Sequence, residues 1–152
     1  MDALDLLKQD HQKVRDLFKQ FEANDDQNAN QGIVENIKSE LEIHAHVEES
    51  IFYPTLEDQN DEDLIELVDE SLEEHQEVKD LLKDIEGLTG DGQQLRSKVM
   101  ELRDKVEHHA SEEETELFPR VRKVLQQENL ERMREEIESE KQHYSSEMEE
   151  ED

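Results

Sequence analysis

Six side chains of metal-ligand type recur at helical spacing along this chain: His11, His44, Glu48, His75, His109 and Glu113. Two pairs read His-x-x-x-Glu, at 44/48 and 109/113. That spacing puts an imidazole and a carboxylate on one helix face, a turn apart. Imidazole and carboxylate without sulfur suit iron, manganese or zinc. The chain has no cysteine, which excludes disulfides, thiolate catalysis, Cys-ligated zinc and iron–sulfur clusters. A single tetrahedral zinc would leave two of the six ligands unused. Carboxylates reaching from opposite helices into a bundle core commonly bridge two metals. A bridged pair with vacant positions suits dioxygen or peroxide chemistry. No P-loop, dinucleotide fingerprint or nucleophile elbow is present, and no separate catalytic residues are assigned.

These residues sit in apolar seams. The first seam holds Leu4, Leu7, His11, Val14, Phe18 and Phe21, and the second Ile33, Ile37, Leu41, His44, Glu48 and Ile51. The third holds Leu64, Val68, His75, Val78, Leu82 and Ile85. The fourth holds Leu95, Val99, Leu102, Val106, His109, Glu113 and Leu117. Steps of three, four and seven predict four amphipathic helices, each burying one face. A buried, unpaired carboxylate is strongly unfavourable. Two of them beside four imidazoles need a partner, and a pair of cations supplies it. The bland alternative, a metal-free polar core network, would leave that charge unpaired.

The breaks at Asn24–Gln31, Glu57–Glu62 and Gly87–Gly92 read as short connections. Short connections predict an all-α, antiparallel up-down-up-down four-helix bundle over residues 1–125. His11 lies 13 residues before Asn24 and His44 lies 13 after Gln31, so both fall at one height of an antiparallel pair. Residues 126–152 resume a weaker pattern at Leu130, Met133, Ile137, Tyr144 and Met148. They predict an acidic C-terminal helix that docks on the bundle or pairs two subunits into a homo-oligomer. Its end, Glu147–Asp152, is expected to fray.

The chain also repeats itself. Asp10-His11-Gln12 matches Glu74-His75-Gln76, and His44-Ala45 with Glu48-Glu49, Tyr53 and Pro54 matches His109-Ala110 with Glu113-Glu114, Phe118 and Pro119. The offset is 64 residues from His11 to His75 and 65 from His44 to His109. The halves read as two copies of one helical hairpin about an approximate two-fold axis.

On His11, His44-x-x-x-Glu48, His75 and His109-x-x-x-Glu113, the sequence resembles the hemerythrin-like, or HHE cation-binding, domains over roughly residues 1–125. The resemblance implies a four-helix bundle around a non-haem centre of two iron ions with an oxo or hydroxo bridge; manganese and zinc are the alternatives. It implies that His11 and His44 bind one iron, His75 and His109 the other, and that Glu48 and Glu113 bridge both. Two positions depart from the oxygen carriers of the family. Lys79 stands where they have a second third-helix histidine, and His109-x-x-x-Glu113 replaces their His-x-x-x-x-Asp. About one open position per metal follows, on six-coordination.

The implied function is binding of dioxygen or a related small ligand, peroxide included, in oxygen binding or sensing or in iron handling. A peroxide-decomposing enzyme and an acidic interaction module with a structural metal are the alternatives, so whether the chain is an enzyme is left open. Other polar residues receive plainer expectations. His46 and His143 should face solvent, and His108 lies beside the seam as a lesser second-layer or substitute ligand. Glu49, Glu112 and Glu114 read as surface charge, and Tyr53 and Phe118 as packing at the bundle end.

Composition narrows the partners. Of 152 residues, 32% are hydrophobic and 41% charged, with a formal net charge of −28. A bundle tolerates so few apolar residues because each helix needs only one stripe. The charge repels phosphate backbones and anionic membranes, so neither nucleic acid nor membrane is expected as a partner. No run reaches about 18 apolar residues, and Met1-Asp2-Ala3-Leu4 does not open a signal peptide. A cytoplasmic location is the expectation.

Overall fold

The computed structural model describes residues 1–24, 27–88 and 92–150. Its helices are α1 (Ala3–Ala23), α2 (Gln27–Val47), α3 (Tyr53–Glu57), α4 (Glu62–Glu86), α5 (Gly92–Glu112), α6 (Phe118–Val124) and α7 (Gln127–Glu150). Two π-helical turns, Glu48–Phe52 and Glu113–Leu117, join α2 to α3 and α5 to α6 without interrupting the rod. Four rods therefore form the bundle, with α1 against α2, α4 against α5, and α1 also against α5. The all-α bundle expected from the seams is what forms.

Several boundaries move. The stretch Asn24–Gln31 was expected as a loop, but α2 already begins at Gln27; Asp25 and Asp26 lie outside the described residues. Similarly, Gly92 opens α5 rather than closing a loop, and residues 89–91 lie outside the description. The acidic end remains helical as far as Glu150, while Glu151 and Asp152 lie outside the described residues. At the α3–α4 turn Asn60 takes φ 58°, a left-handed conformation that asparagine tolerates. Helix α7 folds back across α1 and α2, burying Leu130, Met133 and Ile137. Docking within the chain is thus one use of this segment.

The π turns explain the prolines. A proline inside an α-helix clashes with the carbonyl four residues earlier and lacks an amide to bond. Here Pro54 and Pro119 follow widened turns closed by Tyr53 N–H to Glu48 O and Phe118 N–H to Glu113 O. Each turn begins at a glutamate of the His-x-x-x-Glu pairs.

One end of the bundle is fastened by α6. Asp2 caps α1, its Oδ1 accepting from Asp5 N at 3.0 Å, and its Oδ2 accepts from Arg122 at 2.7 Å and Gln127 at 2.9 Å. Asp61 caps α4 and accepts from Arg120 at 2.5 Å. Burial opposes ionisation of Asp2, but Arg122, the Asp5 amide and Gln127 together hold its carboxyl well below the ordinary 3.8. Asp2→Ala should therefore destabilise the protein by about 1–2 kcal/mol, from a lost cap and a part-buried, solvent-screened charged hydrogen bond. Because the folded-state pKa is depressed, this stability is present above pH 3.8 and is lost as pH falls through the folded value. Urea titrations at neutral and strongly acid pH should show the gap between wild type and variant shrinking in acid.

The apolar core forms two clusters. One, with Leu4, Leu7, Phe52, Leu56, Leu64 and Phe118, packs near the α6 end. The other, with Val14, Phe18, Phe21, Leu41, Leu82 and Leu102, fills the opposite end. The polar layer lies between them.

Candidate metal centre

All six ligand-type residues expected from the sequence meet in that layer. Exposure is 5% for His11, 8% for His44, 5% for His75, 7% for His109, 0% for Glu48 and 1% for Glu113. Helices α1, α2, α4 and α5 each supply one imidazole, and the two π turns supply the glutamates at their first residues. Candidate ligand atoms gather as His11, His44 and Glu113 on one side and Glu48, His75 and His109 on the other.

Every imidazole is held by its outer nitrogen. His11 Nδ1–H donates to Glu114 at 2.7 Å and His44 Nδ1–H to Asp10 at 3.0 Å. His75 Nδ1–H donates to Glu49 at 2.8 Å and His109 Nδ1–H to Glu74 at 2.7 Å. A carboxylate at Nδ1 fixes the tautomer and leaves the Nε2 lone pair free to bind. All four Nε2 atoms point inward. Glu48 Oε1 lies 3.1 Å from both His44 Nε2 and His75 Nε2. Glu113 Oε1 lies 3.0 Å from His11 Nε2 and 3.5 Å from His109 Nε2. Each glutamate thus faces imidazoles of both halves of the repeat. His75 Nε2 and His109 Nε2 are only 3.1 Å apart.

Such a centre is rich in acceptors. Four Nε2 lone pairs face two carboxylates, and the Tyr53 hydroxyl donates to Glu113 Oε2 at 2.6 Å. His44 Nε2 and Glu48 Oε2 are buried without a hydrogen bond. Two remedies exist: protons on the imidazoles, or cations between them. Burial opposes charge on His44, yet Glu48 and Asp10 outweigh it and raise its pKa to about 10. His109 is likewise raised against burial, to about 11, by Glu113, Glu48 and Glu74. Burial and the neighbouring Glu48 push Glu113 above the usual carboxylate range, whereas the imidazoles hold Glu48 well below it against burial. The field that draws protons to these nitrogens equally draws divalent cations. The orphaned atoms and the all-nitrogen-and-oxygen donor set fit such ions.

Several residues turn out differently from expectation. Glu49 and Glu114, read as surface charge, are the acceptors that orient His75 and His11. Asp10 and Glu74 do the same for His44 and His109. The signal was present in the repeat: an acid precedes His11 and His75, and an acid follows Glu48 and Glu113. Tyr53, read as end packing, places its hydroxyl 3.2 Å from His75 Nε2. Its counterpart Phe118 has no hydroxyl and stacks on His11 at 6.0 Å. His46, expected in solvent, donates from Nε2–H to Glu140 at 2.8 Å and stacks on Tyr144 at 4.1 Å, because α7 covers it. His108 stays 65% exposed, with Glu74 at 3.4 Å and Glu112 at 3.0 Å, and does not reach the layer. Glu112 remains half-exposed there, and His143 is 65% exposed beside Glu147.

Cations back up three of the four outer carboxylates. Arg15 meets Glu114 at 3.1 Å, Lys79 meets Glu49 at 2.9 Å, and Lys141 of α7 meets Asp10 at 2.5 Å. The C-terminal helix is therefore linked to His44 through Asp10.

Comparison with known proteins bears on the family and the fold. The model of the Hemerythrin HHE cation binding domain matches residues 2–121. A curated protein named DNA nickase, from Nostoc sp. (strain PCC 7120 / SAG 25.82 / UTEX 2576), is 32% identical over 132 residues. The match covers 86% of this chain but 36% of that protein, so the chain spans about a third of its relative's length. A crystal structure of a Hemerythrin HHE cation binding domain-containing protein from Mycobacterium kansasii shares the fold, with a TM-score of 0.80 at 23% identity. That likeness covers 95% of this chain and 87% of the other. On the family match, the chain belongs to the hemerythrin HHE cation-binding domain family.

Proposed function

We propose that this chain is a non-haem di-iron protein that binds dioxygen or a related small oxygen ligand at a carboxylate-bridged centre. The observation that carries the reading is the convergence of four Nδ1-anchored imidazoles, Nε2 inward, on two buried glutamates. His11 and His44 would hold one metal and His75 and His109 the other, with Glu48 and Glu113 shared. When bound, an iron pair supplies reversible electron transfer to a small oxygen ligand. The chain's own part is to orient the four imidazoles, exclude bulk water with Phe52, Tyr53 and Phe118, and offer the Tyr53 hydroxyl as a proton or hydrogen-bond donor. The formal charge of −28 weighs against carrying over a DNA substrate from the longer relative.

Elemental analysis of protein produced with iron should find about two metals per chain, with near-ultraviolet absorption that changes between anaerobic and air-exposed samples. A colourless, metal-free chain whose melting is unaltered by chelators would defeat the reading.

Lys141 should matter to only one of the two metals. Lys141→Met removes the cation that steadies Asp10 and, through it, His44. Outer-layer partners of metal ligands typically contribute 10–100-fold in affinity. Chelator-driven release should turn biphasic, one phase accelerated about tenfold and the other unchanged, and Lys141→Arg should restore a single slow phase. Uniform acceleration of both metals would point to general loosening instead.

A further inference from the structure

The polar layer is closed on one side only. Towards α6, Phe52, Tyr53 and Phe118 seal it at 0–1% exposure. Towards the opposite cluster the packing is incomplete. A cleft of about 690 Å³ runs from the surface between α2 and α4 down to the four imidazoles. Its waist is apolar: Val14, Leu41, Val78, Leu82 and Val106. Its outer lip carries residues of both charges, including Glu42, Lys79 and Lys83, with the stacked His46 and Tyr144 to one side.

The size is out of proportion to a diatomic or triatomic ligand. Clefts of about 300–1,000 Å³ with mainly apolar walls and a few converging polar groups hold organic molecules. Unfilled apolar volume also reduces stability. Val78 and Val106 border the cleft and are only partly buried, so larger residues there would have closed it. The ends differ in kind. At the floor, the open position of about one per metal that the di-iron reading leaves beside the imidazoles would take an oxygen ligand, and an anionic oxygen group suits it. The waist offers only methyl and methylene groups, which favour an aliphatic tail.

We propose that the cleft is a binding site for an aliphatic molecule with an anionic oxygen head, the head at the imidazole floor and the tail along Val14, Leu41, Val78, Leu82 and Val106. The placement of the head rests on the di-iron reading above; the placement of the tail rests on the cleft alone. The molecule is a ligand of the centre, and no bond to it is made or broken in this proposal.

The test is a chain-length series. Acetate, butyrate, hexanoate and octanoate are titrated calorimetrically into metal-loaded protein whose metal content has been measured. Affinity should climb with length, by up to about fourfold per buried methylene, and then level off where the tail leaves the cleft. Val78→Phe and Val106→Phe fill the waist from α4 and α5 respectively. Either should flatten the series while metal content and acetate affinity stay as in wild type. Using two walls guards against one variant failing to fold. Equal affinity for acetate and octanoate in protein carrying two metals would overturn the proposal and leave the di-iron reading standing. A length dependence that survives both substitutions would also overturn it, since the tail would then lie elsewhere. Protein that takes up no metal would sink the di-iron reading and the head placement together. The tail site is then read alone with 1-butanol to 1-octanol, whose affinities should still rise with length in wild type and not in Val78→Phe.

Discussion

Replacing Glu48 with alanine should reduce bound metal from two ions to at most one and lower the melting temperature of metal-loaded protein by about 10 °C. Glu48 is fully buried, and its Oε1 stands 3.1 Å from an imidazole of each half. On the di-iron reading proposed above, removing it would take a ligand from both metal positions at once, and it takes away the carboxylate that His44 Nε2 and His75 Nε2 both face. The magnitude follows from linkage: ligand at a thousandfold excess over its dissociation constant stabilises by about 4 kcal/mol. For a chain of this size each kcal/mol shifts melting by about 2–4 °C. Glu48→Gln keeps the shape and removes the charge, so it should lose metal to the same extent with less effect on the metal-free protein. Two metals retained in both variants, with unaltered melting, would remove Glu48 from the ligand set.

Phe52→Ala should destabilise the protein by about 3–5 kcal/mol in urea titrations, whether or not metal is bound. Phe52 is fully buried and lies next to Glu48 along the π turn. Its ring packs 5.6 Å from Tyr53 and meets Phe118 edge-on at 5.9 Å, and Phe118 in turn stacks on His11. The three rings make the dry floor beneath the centre. Truncation loses the transfer energy of the ring and leaves a hole that a four-rod bundle closes only in part. Phe52→Leu, nearer in volume, should stay within about 1.5 kcal/mol. Metal stoichiometry at saturation should survive both, because no ligand is touched. An alanine variant within 1 kcal/mol of wild type would mean that the floor collapses readily to fill the space.

The seams, the bundle and the convergence of His11, His44, Glu48, His75, His109 and Glu113 were legible in the sequence, because period and residue type together identify polar groups on buried faces. What lay outside those faces was not. Asp10, Glu49, Glu74 and Glu114 orient the imidazoles, yet in a chain with 45 Asp and Glu an acid near a histidine carries little information by type alone. Only its recurrence at both ends of the repeat marks it. Tyr53 was hidden by geometry. Five residues along an α-helix turn by about 500°, which would swing Tyr53 well away from Glu48. A π turn stacks residue i+5 over residue i, so Tyr53 returns to the face of Glu48 and reaches the centre. His46 was misplaced because the helical wheel of α2 knows nothing of α7 lying over it. The early start of α2 at Gln27 likewise overrides a polar, Asn-rich composition that reads as a loop.

The prolines give the two wide turns a further meaning. A proline that lacks its amide hydrogen cannot anneal the turn back into a regular helix, and its ring would collide with the carbonyl four positions back if the spiral tightened. The bulge is thus written into the covalent chain rather than held open by whatever binds beside it. Glu48 and Glu113 are presented to the interior before any ion arrives. An incoming metal finds its cradle already shaped, and its binding energy is left for gripping the ion rather than for bending the backbone.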